Sequence, residues 1–317
     1  MNARLLDRTV IGLCIGAVAV GVIGHFLPDW MRFIVAQSFA RGAVVLGLLV
    51  LWRSGLVSFG HALFFAVGAY SAAFVQRMIV NDAVIMTLAG IFAGGVLAFL
   101  LGFLLRSYRG IFFALLNMAF SMVLWGLLAK TEALGSTDGL SVAPPGLFGF
   151  GLDGGVSKYV LFYFALVLVL AFAISVHLYL RSTLGSMSTA VRENEIRLEY
   201  LGYSGARAVH VKYVISGLLG GFGGAIMAMF VGQVDPDSMA YWTISGEFVF
   251  ITILGGTGNV AATFIGALVF EVIRTFAFQW APKAWQLIMG GTLLVIIMFL
   301  PSGLWSIGDR LRGVFKR

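Results

Sequence analysis

The sequence predicts an all-α, polytopic membrane protein with about ten transmembrane or partly re-entrant helices and both termini in the cytoplasm (N-in/C-in). Hydrophobic residues make up 60% of the 317 residues and charged residues only 11%, whereas about 25% of a soluble globular domain is charged. This composition excludes a soluble enzyme, a disordered chain, a fibrous protein and a disulfide scaffold. The single cysteine, Cys14, excludes an internal disulfide and a cysteine-based metal cluster.

Ten stretches are apolar enough to cross the membrane, for which a helix needs roughly 20 residues. Seven of them carry no charge, at residues 9–28, 54–76, 83–105, 110–129, 159–180, 213–234 and 284–308. Three carry one or two charges, at residues 33–52, 238–254 and 260–280. The regions 54–76 and 238–280 are rich in Gly and polar residues, so we expect broken or re-entrant helices there.

The distribution of the 21 Lys and Arg residues predicts the orientation. With the N-terminus in the cytoplasm, most of them fall in cytoplasmic loops, including Arg4 and the four basic residues at 310–317. This agrees with the positive-inside bias of membrane proteins, which the opposite orientation would contradict. The net charge of +7 is therefore an orientation signal. No basic run points to nucleic acid as a partner.

The chain, 1–317, is expected to form a single transmembrane domain, because no segment outside the spans is long enough for a soluble one. Two connections are long. The outer one, 130–158, is rich in Gly and contains two adjacent prolines, and the inner one, 181–212, has the pattern of a structured helix.

Catalytic motifs are missing from the sequence. There is no G-x-x-x-x-G-K-[ST] phosphate loop and no H-E-x-x-H, and the four histidines are widely scattered. The sequence therefore predicts a protein that is not an enzyme, with no catalytic residue, no metal site and no bound cofactor.

The inner connection predicts a short amphipathic helix over 187–201. Its apolar residues fall at offsets typical of one helical face; they are Met187, Ala190, Val191, Leu198 and Leu201. Gly202 follows as a candidate C-terminal cap. The polar positions mix acids and bases, which favours docking in a protein groove, although the spacing alone leaves a helix resting on lipid headgroups equally open.

Two Gly-rich segments share a spacing. Gly60 and Gly68 lie eight residues apart, as do Gly258 and Gly266, and each pair is followed by Ala. Paired interrupted helices in the two halves of a chain are typical of a transport site near the midplane, but tight helix packing also needs small residues. For the run 217–225, tight packing is the preferred interpretation.

Four charges fall inside predicted spans, where each costs roughly 2.5 kcal/mol or more at a helix centre. Glu271 and Arg274 are three residues apart and are expected to neutralise each other. Glu247 has no partner nearby in sequence. It could pair with the distant Arg41, sit in a wet cavity or near the end of its span, or relay protons.

The segment 55–70, GLVSFGHALFFAVGAY, resembles the G-x-x-S-x-G-H-A-x-F-x-x-x-G-A-Y signature of the permease subunits of branched-chain amino acid ABC importers. Further segments follow in the family's order, namely 109–114, 135–140, 192–195, 201–203, 234–238, 245–247, 254–258 and 300–304. The likeness covers almost the whole chain and is to the LivM-like rather than the LivH-like subunit type. One departure is Arg41, where a small or apolar residue is expected.

The resemblance implies a permease in the bacterial inner membrane, multi-pass, for branched-chain or other hydrophobic amino acids. It implies a homologous second permease subunit (LivH-like), two cytoplasmic ATPase subunits that use ATP and Mg, and a periplasmic substrate-binding protein. It also implies that residues 187–201 act as the coupling helix against an ATPase. The chain itself would contact membrane lipid and no nucleic acid.

Three sets of candidate residues follow. The residues expected to couple to the ATPase are Met187, Ala190, Val191, Arg192, Glu193, Asn194, Glu195, Leu198, Leu201 and Gly202. Those expected in the substrate pathway are Ser58, Gly60, His61, Phe64, Tyr70, Glu247, Gly255, Gly256 and Gly258. The candidates for docking the binding protein, in the periplasmic loop 130–158, are Ser136, Thr137, Asp138 and Gly139, for which a simple Gly turn is an equally good interpretation.

Three alternatives remain open at this point. Relatives in the same ABC family carry urea, short amides or aromatic acids, and the sequence does not separate these solutes. A secondary transporter driven by protons through Glu247 or Glu271 is a different class of function. A structural membrane scaffold without transport is a third.

Overall fold

A computed structural model describes residues 7–152, 154–300 and 302–306. Arg4, the basic residues at 310–317 and Pro301 of the 300–304 motif lie outside these ranges. The helices are α1 (Arg8–Phe26), α2 (Asp29–Trp52), α3 (His61–Met78), α4 (Ala83–Leu105), α5 (Gly110–Lys130), α6 (Gly154–Leu180), α7 (Thr183–Tyr200), α8 (Gly205–Val231), α9 (Pro236–Met239), α10 (Trp242–Gly255), α11 (Val260–Trp280) and α12 (Trp285–Phe299).

Every one of the ten predicted spans contains a helix, but only seven of the helices in the described ranges are long and apolar enough to cross a membrane. The other three are α3, with 18 residues including His61 and Arg77, and α10 and α12, with 14 and 15 residues. At 1.5 Å per residue, 14 residues rise about 21 Å, less than the roughly 30 Å hydrocarbon core. The expected interruptions are present before α3 and at α10, whereas α11 is continuous over 21 residues and α12 is shorter than the predicted stretch 284–308.

The stretch 54–76 is interrupted at its start. Residues 53–60 are not helical, although Ser54, Leu56 and Ser58 are buried, and α3 begins only at His61. Arg53 donates hydrogen bonds to the carbonyl oxygens of Thr257 and Gly258 at 3.3 and 3.0 Å. The turns before α3 and α11 therefore lie side by side at one end of the bundle.

Helix α8 forms the centre of the fold and packs against α2, α3 and α4. Glycines allow this close approach: a Cβ placed on Gly68 would lie 2.1 Å from the carbonyl oxygen of Gly221, and one on Gly94 would lie 2.5 Å from that of Gly217. Such distances are below any van der Waals contact. The packing interpretation of the run 217–225 is confirmed.

Two strands close the opposite end of the bundle. β1 (Leu140–Ser141) pairs antiparallel with β2 (Gln233–Val234), and Leu140 faces Val234 in the register. Parts of the long 130–158 connection are thereby joined to the turn after α8. Helix α7 lies at the other end, between α6 and α8, as the sequence predicts.

Candidate functional site

The first candidate site is a buried cluster where the 53–60 segment enters α3. His61 Nδ1 lies 3.0 Å from Ser58 Oγ, and its Nε2 lies 2.5 Å from Ser216 Oγ in α8. The backbone N–H of Ala62 donates to Ser245 Oγ in α10 at 2.9 Å. The two predicted residues Ser58 and His61 do come together, and α8 and α10 supply two hydroxyls that join three helices at one point.

Sequence reasoning missed Ser216 as a member of this cluster. It precedes the Gly-rich run of α8, and a hydroxyl in an otherwise apolar stretch was the only local signal. A buried imidazole needs polar partners at both nitrogens, but the sequence does not say which of many Ser and Thr residues provides them.

Gly60 and Phe64 are packed into the same wall. A Cβ on Gly60 would lie 2.3 Å from the carbonyl oxygen of Asn117, so only Gly fits beside α5. The Asn117 side chain accepts a hydrogen bond from the Tyr213 hydroxyl at 2.6 Å. Phe64 stands edge-on to His61 and Tyr213, with ring centroids 5.8 and 5.4 Å apart.

Most of the predicted pathway residues lie in packed interior, and Gly258 is exposed. Ser58, His61 and Phe64 are completely buried and Tyr70 is 4% exposed. None of the nine predicted pathway residues lines the large cavity that the described residues form. Within the described part of this chain, the buried members of the set form part of the packed wall between helices.

The two Gly-rich segments are not equivalent. A Cβ on Gly255 would lie 2.2 Å from the carbonyl oxygen of Ala262. Gly256 has φ +91°, and a Cβ there would lie 2.3 Å from the carbonyl oxygen of Ser302. A Cβ on Gly258 would meet only Trp305, at 3.7 Å. Gly258 is therefore not held to Gly by packing as Gly60 is, and the shared spacing does not reflect a shared environment.

A second buried cluster joins α2, α10 and α11. Arg41 Nη1 lies 2.5 Å from Glu247 Oε2, and Arg41 Nε forms an ion pair with Glu271 Oε1. The expected local pair of Glu271 and Arg274 is wrong, because the Glu271 carboxylate contacts Arg41 and the Arg274 guanidinium lies over the Trp285 ring at 5.8 Å. The three-residue spacing of Glu271 and Arg274 in α11 therefore did not decide the pairing, because Arg41 of α2 binds the Glu271 carboxylate instead.

This cluster explains the unexpected Arg41. Its side chain is 5% exposed, and those of Glu247 and Glu271 are 14% and 3% exposed. A buried charge in an apolar interior requires compensation. Arg41 forms ion pairs with both carboxylates. With Arg274 nearby, the four side chains carry two positive and two negative charges, so the cluster has no net charge. The pairing of Glu247 across the bundle is the arrangement that the structure contains.

The third candidate is α7, at the end of the bundle that also holds the 53–60 turn. It is longer than predicted and is broken at Asn194, whose φ −163° and ψ 97° are not helical. Asn194 Oδ1 accepts from the backbone N–H of Arg197 at 3.0 Å, as an N-cap of a second short helix would. Gly202, at φ +82°, ends this second helix, as the sequence predicted.

The predicted apolar face of α7 points into the protein itself. Met187, Val191 and Leu198 are buried in a cluster with residues of α2, α3 and α8. Leu201 is 70% exposed and lies outside that cluster. The face turned outward carries Ile196 and Tyr200, 65% and 86% exposed, together with the charged side chains.

Polar contacts tie α7 to the body. Arg109, before α5, holds both carboxylate oxygens of Glu195 at 2.9 and 2.5 Å. The side chain of Arg192 lies against Gly55, which has φ +75°. The buried Lys212 donates to Ser54 Oγ at 3.0 Å. The helix, the 53–60 segment and α8 are therefore mechanically connected.

The predicted docking segment 136–139 is a tight turn. Ser136 has φ +51° and Gly139 has φ +75°, and Ser136 Oγ donates to the Ala129 carbonyl at 2.7 Å. A Cβ on Gly139 would lie 2.1 Å from the Val234 carbonyl oxygen. Ser136 and Gly139 thus have local structural roles, and the side chains of Thr137 and Asp138 are exposed.

Within the described ranges, no group of three or more His, Cys, Asp or Glu side chains is placed to hold a metal ion. The clusters above can position helices and transmit movement, but they contain no nucleophile beside a base with an open reacting position.

Comparison with known proteins identifies a family. The family described as the permease component of branched-chain amino acid transport systems matches residues 30–298. Two similar proteins are the high-affinity branched-chain amino acid transport system permease proteins LivM of Escherichia coli (strain K12) and Salmonella typhimurium (strain LT2). Each is 30% identical over 287 residues, which cover 82% of this chain and 67% of the relative. No solved structure matches.

Proposed function

The chain belongs to the family of branched-chain amino acid transport permease components, and from that membership we propose that it is the membrane-spanning subunit of an ABC importer in the bacterial inner membrane. The solute is a branched-chain or other hydrophobic amino acid. The match over residues 30–298 carries this proposal, because it extends from α2 to α12 and so includes α7 and the membrane-spanning helices before and after it. The assembly comprises a homologous second permease, two ATPase subunits and a periplasmic binding protein.

The energy comes from hydrolysis of Mg-bound ATP in the partner ATPases, and no cofactor is expected on this chain. A permease without a phosphate loop must receive movement through a contact. Helix α7 suits that role, because its buried face fixes it to α2, α3 and α8 while Ile196, Tyr200 and Leu201 are exposed. Exposed aromatic and aliphatic side chains beside mixed charges are typical of a protein-docking surface.

A route for that movement follows from the contacts. Displacement of α7 acts on the 53–60 segment through Arg192 and Gly55, and on the start of α5 through Glu195 and Arg109. The 53–60 segment leads directly into the His61 cluster. In this proposal the cluster is part of the wall of the pathway, and the second permease contributes the opposite wall.

The proton-driven alternative is less well supported by the contacts. A proton relay needs a carboxylate that can take up and release a proton, whereas Glu247 and Glu271 are both bound to Arg41. Two carboxylates held by one buried guanidinium suit a fixed clamp that joins α2, α10 and α11.

The docking role of α7 can be tested by Ile196→Asp in the assembled transporter. The matched control is Ile79→Asp, at the opposite end of the bundle, where Ile79 is 75% exposed. We expect Ile196→Asp to lose the co-purifying ATPase and ATP-driven leucine uptake in proteoliposomes, and Ile79→Asp to keep both. Normal uptake with Ile196→Asp would contradict the assignment of α7.

The transporter class can be tested with the chain and its partners reconstituted together and separately. Uptake should require the ATPase subunits and ATP, and a proton gradient should not replace them. Solute uptake by the isolated chain with a proton gradient and no ATP would reject the ABC proposal. Competition by leucine, urea and phenylacetate then separates the solute classes.

A further inference from the structure

A large apolar cavity lies between α1 and the surfaces of α2, α6 and α11. Its volume is about 1130 Å³, above the roughly 300–1,000 Å³ that are usual for small-molecule sites. Its walls are mostly apolar, and two of its lining residues, Ile265 and Leu268, are 43% and 37% exposed. The cavity therefore opens sideways, toward the surface that faces lipid.

The cavity is as deep as one leaflet. Its lining on α1 runs from Arg8 to Val20, which at 1.5 Å per residue is about 18 Å. Half of the roughly 30 Å hydrocarbon core is about 15 Å. A helix of a partner subunit would need a groove through both leaflets, so the depth fits an acyl chain better than a helix.

The cavity ends where α1 meets α6. A Cβ on Gly24 would lie 2.7 Å from the Phe162 ring, and one on Gly21 would lie 3.5 Å from Leu166. The Tyr163 hydroxyl also donates to the Gly21 carbonyl at 3.1 Å. The far half of α1 is thus closed against the bundle, and only the half that begins at Arg8 stands away from α2 and α11.

Two glycines of α1 keep this half open. Gly12 and Gly16 line the cavity, and a Cβ on either would meet no atom within 4 Å. Close helix packing therefore does not explain these glycines, in contrast to Gly68. Larger side chains at Gly12 and Gly16 would project into the space that a chain would occupy.

The open end of the cavity is polar and positively charged. Arg8, Asn259 and Trp305 line it, at the end of the bundle that holds α7. The neighbouring Asp7 is paired with Arg181 and His177, whereas Arg8 makes no ion pair with any residue that the structure describes. Basic and indole side chains at this depth suit the headgroup region of a membrane, and basic pockets between helices bind anionic headgroups.

We propose that this cavity is a binding site for one anionic phospholipid of the leaflet on the α7 side. An acyl chain lies between α1 and α11, past Gly12 and Gly16, and the phosphate lies beside Arg8. The lipid fills the space between the peripheral α1 and the rest of the bundle. The site is independent of the transport proposal, because it concerns only the bilayer and this chain.

The test is native mass spectrometry of the full-length protein with its co-purifying partners. Phosphatidylglycerol and phosphatidylcholine with identical chains are titrated in separate arms. The chain-blocking variant is Gly12→Leu with Gly16→Leu, and its control is Gly290→Leu, where a Cβ also meets nothing within 4 Å. The headgroup variant is Arg8→Gln, and its control is Arg207→Gln, an exposed arginine in the first turn of α8.

In the wild-type protein the first phosphatidylglycerol should bind about fivefold more tightly than phosphatidylcholine, since one arginine near anionic lipid is worth about 1 kcal/mol. The double leucine variant should lose this first site for both lipids, and Gly290→Leu should keep it. Arg8→Gln should bind both lipids equally, and Arg207→Gln should keep the preference.

Three results would overturn the proposal. One is unchanged phosphatidylglycerol binding by the double leucine variant. Another is an equal affinity of the wild-type protein for both lipids. The third is release of a partner subunit, rather than a lipid, by the double leucine variant. Arg8→Gln changes one exposed side chain and leaves the packing intact, so its result stands even if the leucine variant fails to fold.

Discussion

Removal of the cation from the Arg41 cluster offers a sharp test of how the bundle is held together. Arg41→Met takes away the only group that forms ion pairs with Glu247 and Glu271 among the described residues. Methionine keeps most of the side-chain volume, so the change is mainly one of charge. Two carboxylates then remain buried in an apolar interior.

The expected cost follows from burial. Breaking a buried ion pair by removing one partner typically costs about 3–5 kcal/mol, and here one cation serves two acids that are 14% and 3% exposed. Glu271→Gln should cost less, about 1–3 kcal/mol, because Arg41 still contacts Glu247. In the double variant, the glutamine removes one of the stranded carboxylates. The combined cost should therefore fall below the sum by at least about 1 kcal/mol.

The assay is equilibrium unfolding of the purified protein in mixed micelles by sodium dodecyl sulfate, for the wild type, both single variants and the double variant. The control is Arg106→Met, because the Arg106 guanidinium forms no ion pair with a described residue and lies 5.2 Å from the centre of the Phe103 ring, an interaction worth about 0.5–1 kcal/mol. An Arg41→Met cost no larger than that of the control would refute the reasoning. So would a cycle that is additive within about 0.5 kcal/mol.

Three further outcomes are expected. Gly68→Ala should destabilise the protein by about 1–3 kcal/mol, because its Cβ would lie 2.1 Å from a backbone oxygen. Gly290→Ala, in open space, should stabilise the protein by up to about 1 kcal/mol. Equal effects of the two variants in the same unfolding assay would contradict the packing argument. The histidine and arginine partners hold the pKa of Asp7 below its ordinary value of 3.8, so Asp7→Asn should lower the melting temperature at neutral pH. The difference in melting temperature between wild type and variant should shrink as the pH falls below 3.8 toward the folded-state pKa. A difference that stays constant down to pH 3 would show that this pairing does not stabilise α1. Glu195→Gln should change the free energy of unfolding by no more than about 1 kcal/mol, since the ion pair of Glu195 with Arg109 is about 30% exposed. It should nevertheless reduce ATP-driven uptake in proteoliposomes. Unchanged uptake would remove this contact from the coupling route.

Local sequence was sufficient to locate the helices but not all of their ends, since α8 begins at Gly205, before the predicted 213, and α12 ends at Phe299, before the predicted 308. Each of the ten apolar stretches contains a helix, and the dense Gly and polar residues predicted the interruption before α3 and the short α10. They did not predict the short α12 or the unbroken α11. The cap at Gly202 was predictable because a left-handed residue after a helix favours Gly whatever surrounds it. The close packing along the run 217–225 was predictable because five glycines within nine residues let neighbouring helices approach closely.

Pairings between distant segments were decided by the tertiary structure. Glu271 has a cation one turn away in Arg274, yet it contacts Arg41, 230 residues earlier in the chain. Gly60 and Gly258 look alike in sequence, but Gly60 abuts the backbone of α5, whereas a Cβ on Gly258 would make only an ordinary contact with Trp305. No local pattern records which helix will lie opposite a given side chain.

The sequence by itself determined a membrane permease of a recognisable family, because hydrophobic length and local motifs depend on neighbouring residues. Only the tertiary structure decided which way α7 faces, which acids pair with Arg41, and that the first half of α1 stands away from α2 and α11 along about the depth of one leaflet. These features depend on how helices pack, and packing energies arise between residues that are far apart in the chain.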